Sequence, residues 1–147
     1  MHDTIFFSAC DLINLYKSKK LSPVENLKNT FDVIKKLNPK LNAFISIAEK
    51  KAMKQAKFSE LNYLNNIERK LEGIPFGVKD VIDVRQEKTM NGSKLFEISE
   101  VKKNNSTVVN KLIDEGAIYI GKLHTHELAI GAPTFSGVDK PASNPWD

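Results

Sequence analysis

Two short apolar segments rich in β-branched residues, separated by a stretch of helical character, constrain the fold of this chain most. The first segment covers residues 74–84 and the second covers 117–121. Between them, apolar residues recur at helical spacing through 108–113, with Ser106 placed to cap the helix and Gly116 placed to end it. Apolar runs of this kind are typical of strands buried on both faces of a sheet. The order strand, helix, strand therefore predicts an α/β core.

The first half of the chain is expected to be helical. Apolar residues recur at helical spacing after Ser8. A second helix start is more closely specified, because Ser22, Pro23 and Glu25 have the spacing of a capping box with proline at the first helical position. Such a box satisfies two backbone amide groups that the helix itself leaves unpaired. The sequence thus predicts two successive helices near the N-terminus.

The boundaries of the later elements are less sharply marked. The second helix is predicted to end at residues 38–39, because a proline disfavours helical geometry in the residue before it. Residues 43–47 are partly β-branched and fit either a strand or the lead into a helix, whereas 48–64 have a composition that favours helix. We therefore divide the chain into an N-terminal helical region at 1–72 and the start of an α/β core at 73–147.

Charge and cysteine content narrow the class of protein. The 147 residues carry a formal net charge of +4, and lysine supplies 20 of the 22 basic residues. Arginine forks that recognise phosphates and bases are therefore scarce, and scattered lysines usually solvate helix faces. Cys10 is alone, which excludes an internal disulfide. With so few arginines, we expect no binding to nucleic acid. Without a secretory signal at the start or an apolar run of roughly 18 residues, we expect a cytoplasmic chain that does not bind a membrane.

Lys79 lies within the first apolar segment and requires an explanation. If the lysine is buried on a strand, desolvation lowers its pKa and makes it a possible proton acceptor. Alternatively, it stands at the end of the strand, where it reaches solvent or pairs with Asp80 or Asp83. Composition and spacing alone favour the second interpretation, because buried lysine is rare.

Other reactive side chains give weaker signals. His124 and His126 alternate and could offer two metal ligands on one face of an extended segment, but a third ligand is lacking, so we expect no metal. Ser93 or Ser136 could be combined with a histidine into a triad, a constellation that many proteins could supply by chance. Cys10 lies on an apolar helix and is expected in the core rather than as a nucleophile.

A series of motifs, taken in order along nearly the whole chain, resembles the amidase signature family. Each motif alone is weak, but their order and spacing match those of the family. The motifs lie at residues 21–25, 37–39, 41–44, 73–80, 89, 92–93, 107–109, 116–117, 121–122, 127–129 and 144–147.

The resemblance implies amide hydrolysis by a Ser-Ser-Lys triad on an α/β/α sandwich with a mixed central sheet. Lys79 matches the catalytic lysine of the family. In that mechanism the neutral amine accepts a proton, through a bridging serine, from the serine that attacks the amide carbon. By the same analogy, Ala129, Ile130 and Gly131 border the substrate pocket. The resemblance implies a small-molecule amide as substrate and no cofactor.

Departures from the family pattern shape the functional expectation. The Gly/Ser-rich loop with the bridging serine and the segment with the nucleophile would both follow Asp147, so we expect an N-terminal portion of the core that is inactive alone. Asn105 and the Leu123-His124 pair also differ from the common family residues. The leading hypothesis is a free-standing amidase, which could form a homodimer. One alternative is the amidase subunit of glutamyl-tRNA(Gln) amidotransferase, with the other subunits as partners, and another is a fragment without catalytic activity.

Overall fold

The computed structural model describes residues 4–130 and 140–146, which form four α-helices, three strands and three short 3-10 helices. The α-helices are α1 (Ala9–Lys17), α2 (Pro23–Leu41), α3 (Glu49–Leu64) and α4 (Thr107–Asp114). The strands are β1 (Phe44–Ile47), β2 (Pro75–Lys79) and β3 (Ile118–Leu123). The 3-10 helices cover Thr4–Phe6, Lys94–Phe96 and Glu127–Ala129. Within the described ranges, no helix is both long enough and apolar enough to cross a bilayer.

The three strands form one mixed sheet in the order β1-β3-β2. Strands β1 and β3 are antiparallel, with a bulge in their pairing between Phe44 and Ser46. Strands β2 and β3 run parallel, since the Ile118 amide donates to Ile74 and the Asp80 amide donates to Leu123. A helix, α4, connects these parallel strands, as a parallel connection requires. The predicted α/β fold with a mixed sheet is confirmed.

The chain divides into two compact units that do not follow chain order. The first comprises the described residues of 1–36, 48–76 and 111–120, and the second those of 37–47, 77–110 and 121–147. Strands β2 and β3 contribute residues to both units. The sequence-based boundary between residues 72 and 73 stays a prediction.

Aromatic and aliphatic side chains from the N-terminal helices fill part of the first unit. Leu12 and Tyr16 from α1 are buried together with Tyr63 from α3. The two tyrosine rings meet edge to face with centroids 5.5 Å apart, and the Asn26 side-chain amide donates to the Tyr16 hydroxyl at 2.7 Å. Burial of these rings removes apolar surface from water, while the hydrogen bond satisfies the polar end of Tyr16.

The predicted capping box at the start of α2 is confirmed. The Glu25 amide donates to the Ser22 hydroxyl at 3.1 Å, and the Ser22 amide donates to the Glu25 carboxylate at 2.9 Å. The predicted end of the helix is wrong, because α2 continues through Pro39 to Leu41. The proline lies in the last turn, where its missing amide removes only one helical hydrogen bond.

Three further sequence predictions need correction. The strand expected over 74–84 ends at Lys79, because the amides of Val81 and Ile82 both donate to the Lys79 carbonyl and turn the chain. The Ser106 hydroxyl is buried and has no hydrogen-bond partner among the described residues, so it does not cap α4. Cys10 is exposed, because α1 buries Leu12 and Tyr16 and position 10 falls on the opposite face of the helix.

The structure confirms one further expectation and decides between two alternatives that the sequence left open. Gly116 ends α4 with a φ of 95°, a left-handed conformation that L side chains rarely adopt. Residues 44–47 form a strand rather than the lead into a helix.

Candidate active site

Lys79 is the last residue of β2, and its side chain is exposed. Of the two interpretations of Lys79 given above, composition and spacing favoured this one, at the end of the strand. The carboxylates expected to pair with it are occupied by other lysines: Asp80 pairs with Lys122 and Asp83 pairs with Lys102. Lys79 thus pairs with neither of these carboxylates, and its role as a proton acceptor stays a prediction.

A buried ion pair lies next to Lys79 in the sequence. The Lys122 ammonium is 3.0 Å from Asp80 Oδ1, and the two side chains are 2% and 1% exposed. Lys122 Nζ also donates to the Ile82 carbonyl at 2.6 Å, and the Met90 amide donates to Asp80 Oδ2 at 3.1 Å. Buried charges are stable only when paired and hydrogen-bonded. Here the two charges pair with each other and each side chain makes a hydrogen bond to the backbone, while Asp80 Oδ1 itself meets Lys122 as an ion pair without a hydrogen bond.

Burial also affects the protonation of this pair. Desolvation raises the pKa of the Asp80 carboxyl, while the nearby Lys122 ammonium and the hydrogen bond from the Met90 amide oppose that effect. The Asp80 carboxylate thus depends on Lys122 for its charged form.

Sequence reasoning did not identify this pair. Lys122 lies at the end of the apolar run that became β3, so the argument applied to Lys79, that a lysine in a buried strand needs a partner, applies to it as well. That argument could have predicted a carboxylate near Lys122, and the strand pairing brings Asp80 beside it.

A cavity of about 400 Å³ lies in the second unit beside this ion pair. Its apolar wall includes Ile45, Ile47 and Met90, and its polar wall includes Asp80 and Lys122. The combination of apolar surface and a few convergent polar groups is typical of small-molecule pockets.

The two histidines do not lie in equivalent surroundings. His124 lines the cavity, whereas His126 precedes the 3-10 helix Glu127–Ala129 as its N-cap. Among residues 4–130 and 140–146, no three His, Cys, Asp or Glu side chains are grouped so as to hold a metal ion.

Ser93 has a structural partner. Its hydroxyl donates to Glu127 Oε1 at 2.6 Å and accepts a hydrogen bond from the Leu95 amide. The bond to Glu127 connects the 93–96 segment to the 127–129 segment within the second unit, and the bond from Leu95 lies within the first of these segments.

Of the three residues expected at the substrate pocket, only Ala129 and Ile130 belong to the part of the chain that the structure describes. Ala129 has a φ of 57° and is exposed, and the Ile130 side chain is 75% exposed. Gly131 lies outside the described residues. The pocket-lining role of all three stays a prediction.

Comparison with protein families gives one match that covers most of the chain. The amidase family model matches residues 25–147. Among curated proteins, a glutamyl-tRNA(Gln) amidotransferase subunit from Staphylococcus carnosus is 38% identical over 137 residues, which are 92% of this chain and 28% of that protein. The corresponding protein from Thermoanaerobacter pseudethanolicus is 36% identical over 93% of this chain and 28% of its own length. The chain spans less than a third of these relatives.

Solved structures with the same fold are also longer than this chain. A protein from a vestigial complex connected with the origins of an s-triazine catabolic enzyme aligns with a TM-score of 0.90 at 23% identity, over 96% of this chain and 31% of that chain. A bacterial aryl acylamidase of the amidase signature family aligns with a TM-score of 0.75 at 25% identity, over 84% of this chain and 26% of its own. The peptide amidase from Stenotrophomonas maltophilia aligns with a TM-score of 0.77 at 23% identity, over 85% of this chain and 26% of its own.

Proposed function

This chain belongs to the amidase signature family, and on that premise we propose that it is the N-terminal part of an enzyme that hydrolyses a carboxamide to a carboxylate and ammonia. The family match over residues 25–147 is the observation that carries the proposal. The relatives extend far beyond the region that this chain matches, so the complete enzyme would contain further parts of the site.

In the proposed mechanism, Lys79 is the proton acceptor of a Ser-Ser-Lys triad. Its neutral amine would take a proton, through a bridging serine, from the serine that attacks the amide carbon. The attack forms an ester between enzyme and acyl group, and the C–N bond breaks as the leaving amine takes up a proton. Water then hydrolyses the ester and regenerates the serine. The position of Lys79 at the end of β2, with an exposed side chain, supports this role because another segment can reach it.

The decisive experiment replaces Lys79 in the complete protein. Lys79→Ala should lower ammonia release from amides by at least about a thousandfold, because the nucleophile loses its proton acceptor. Lys103→Ala, which removes another exposed lysine of the same unit, is the matched control and should retain wild-type turnover. The 147-residue chain alone should release no ammonia. Undiminished turnover in Lys79→Ala would refute the proposed mechanism.

A second candidate function is the amidase subunit of glutamyl-tRNA(Gln) amidotransferase. The identity of 38% to the Staphylococcus carnosus protein favours it, whereas the sequence His124-Thr125-His126-Glu127 favoured a free-standing amidase. The two functions differ in substrate and in assembly. If the second is correct, the complete protein should bind the other amidotransferase subunits and release ammonia from glutamine. Turnover of simple amides by the protein alone would support the free-standing amidase.

A further inference from the structure

We propose that the buried Asp80–Lys122 ion pair is a positioning device for Lys79. The inference rests on the proposed function, since it assigns to Lys79 the task of accepting a proton. Asp80 and Lys122 are positioning residues in this proposal, because they act through Lys79 and not on the substrate.

The backbone geometry shows why Lys79 needs such support. The regular strand ends at this residue, and the next two amides fold back to donate to its own carbonyl at 2.8 and 3.0 Å. Beyond Lys79, the chain is connected to the sheet through the amide of Asp80, which donates to the Leu123 carbonyl at 3.0 Å. The direction of the Lys79 side chain therefore depends on how firmly residue 80 is held.

Asp80 is held at its backbone and at its side chain. Its carbonyl accepts from the Asn91 amide at 2.9 Å, and its Oδ2 accepts from the Met90 amide at 3.1 Å. Its Oδ1 is 3.0 Å from the Lys122 ammonium. The 90–91 segment and β3 thus fix the residue that follows the proposed catalytic lysine.

Lys122 fixes the turn on the other side. Its ammonium donates to the Ile82 carbonyl at 2.6 Å as well as pairing with Asp80. One cation on β3 therefore connects both Asp80 and Ile82, which follow Lys79 in the sequence, to the sheet.

Stability alone does not account for a pair in this position. A buried ion pair is often no more stabilising than apolar side chains of similar volume, because desolvation offsets the attraction between the charges. What this ion pair adds over apolar contacts is direction, since each charged group also makes a hydrogen bond to one particular backbone atom, Asp80 with the Met90 amide and Lys122 with the Ile82 carbonyl. Catalytic geometry depends on that kind of specificity, and a misplacement of about 1 Å can lower a rate by about a hundredfold.

The test replaces both members of the pair in the complete protein. The double variant Asp80→Asn/Lys122→Met removes both charges while keeping similar volumes, so neither partner is left buried and charged. We expect it to fold, with kcat lowered about 10- to 100-fold, KM changed less than twofold, and a shifted acidic limb of the kcat–pH profile. Lys102→Met makes the same lysine substitution in the half-exposed pair with Asp83 and should leave all three quantities unchanged.

A second variant covers the case in which the double variant does not fold. Asp80→Glu keeps the charge but lengthens the side chain, so it should fold and lower kcat at constant KM. Wild-type kcat in either folded variant would overturn the proposal. Failure of both variants to fold would also overturn it, because the pair would then be required for folding rather than for placing Lys79.

The same set of proteins separates this inference from the proposed function. If Lys79→Ala is inactive while the double variant is fully active, only the positioning role fails. If Lys79→Ala remains active, the proposed catalytic role of Lys79 fails and the positioning role fails with it.

Discussion

Glu72 is a fully buried carboxylate whose charge is balanced within the first unit. Arg69 donates to both of its oxygens, at 2.7 and 3.0 Å, and the Ser59 hydroxyl donates to Oε1 at 2.5 Å. Burial opposes ionisation of Glu72, but the hydrogen bonds from Arg69, Ser59 and Asn62 outweigh it and lower the pKa of the carboxyl. The charged form of Glu72 is thus part of the folded structure.

Acidification should therefore destabilise the chain through Glu72. Its pKa is lower in the folded than in the unfolded chain, so its contribution to stability is present above the unfolded value of about 4.3 and is lost as the pH falls through the folded value. Glu72→Gln should lower the free energy of unfolding at pH 7 by about 2 kcal/mol, because hydrogen bonds to a charged group are lost. Its stability should also depend less on pH below about 4.3.

Thermal melting followed by circular dichroism between pH 7 and pH 3 would measure this effect. Glu100→Gln removes an exposed carboxylate and is the control. An equal pH dependence of melting in the wild type and Glu72→Gln would contradict the prediction.

The comparison of Lys79, Lys122 and Cys10 shows what single residues reveal in a sequence. The resemblance to a known family assigned a role to Lys79, whereas Lys122 was noted only as part of the motif at 121–122, although it is the more buried of the two lysines. Its partner comes from 42 positions earlier in the chain, and only strand pairing brings them together. The prediction that Cys10 is buried was wrong, because apolar neighbours in the sequence do not specify which face of a helix is buried.

The starts of α2 and α4 allow two predicted N-cap serines to be compared within one chain. Ser22 and Ser106 were both predicted as caps, yet only the Ser22 hydroxyl accepts a hydrogen bond from the helix that follows. The difference lies at the third helical position, where α2 has Glu25 to complete a capping box and α4 has Val109. A serine before an apolar stretch is therefore a weaker signal than the reciprocal pair.

The two serines should respond differently to the same substitution. Ser22→Ala should destabilise the chain by about 1 kcal/mol, because it removes the hydroxyl that accepts from the Glu25 amide. Ser106→Ala should change stability by less than about 0.5 kcal/mol, since its hydroxyl makes no hydrogen bond among the described residues. Urea unfolding of both variants against the wild type measures the difference. Equal losses of stability would show that the two caps do not differ as the structure indicates.

Strand boundaries were harder to predict than helix starts. The apolar run over 74–84 predicts a strand of eleven residues, but β2 has five. The run continues past the strand because the turn after Lys79 is itself partly buried: Val84 is in the core and Val81 and Ile82 are half-buried. Burial and strand geometry produce the same apolar pattern, so the sequence could not separate them.

The fold as a whole was predictable because its order of elements is a local property. Helices followed by strand, helix and strand could be identified from periodicity and from the caps and stops between them. The mixed sheet was implied only by the family resemblance, because β1 joins β3 through residues that are 79 positions apart, as in the pair Phe44 and Leu123. The family resemblance alone assigned a catalytic role to Lys79, and that role stays a prediction. The ion pair beside it was not predicted, because strand pairing brings its two members together.

Many large apolar side chains remain exposed in the chain of 147 residues. In the described part, sixteen such residues are exposed, with Ile98 at 94%, Trp146 at 93% and Leu95 at 79% among them. A formal net charge of +4 provides only weak repulsion between copies. Large exposed apolar side chains promote association, because two copies of the chain can bury them against each other.

We therefore expect the 147-residue chain to self-associate as its concentration rises. Sedimentation velocity should show a coefficient that increases with concentration, because association buries apolar side chains and gains about 25 cal/mol per Å². Leu95→Ser/Ile98→Ser removes two of the most exposed apolar side chains of the second unit and should weaken the association. Lys94→Ser/Lys103→Ser, which changes two exposed lysines of the same segment, should not weaken it. A single concentration-independent monomer in the wild-type chain would contradict the prediction. Equal weakening by the two double variants would show that Leu95 and Ile98 do not drive the association.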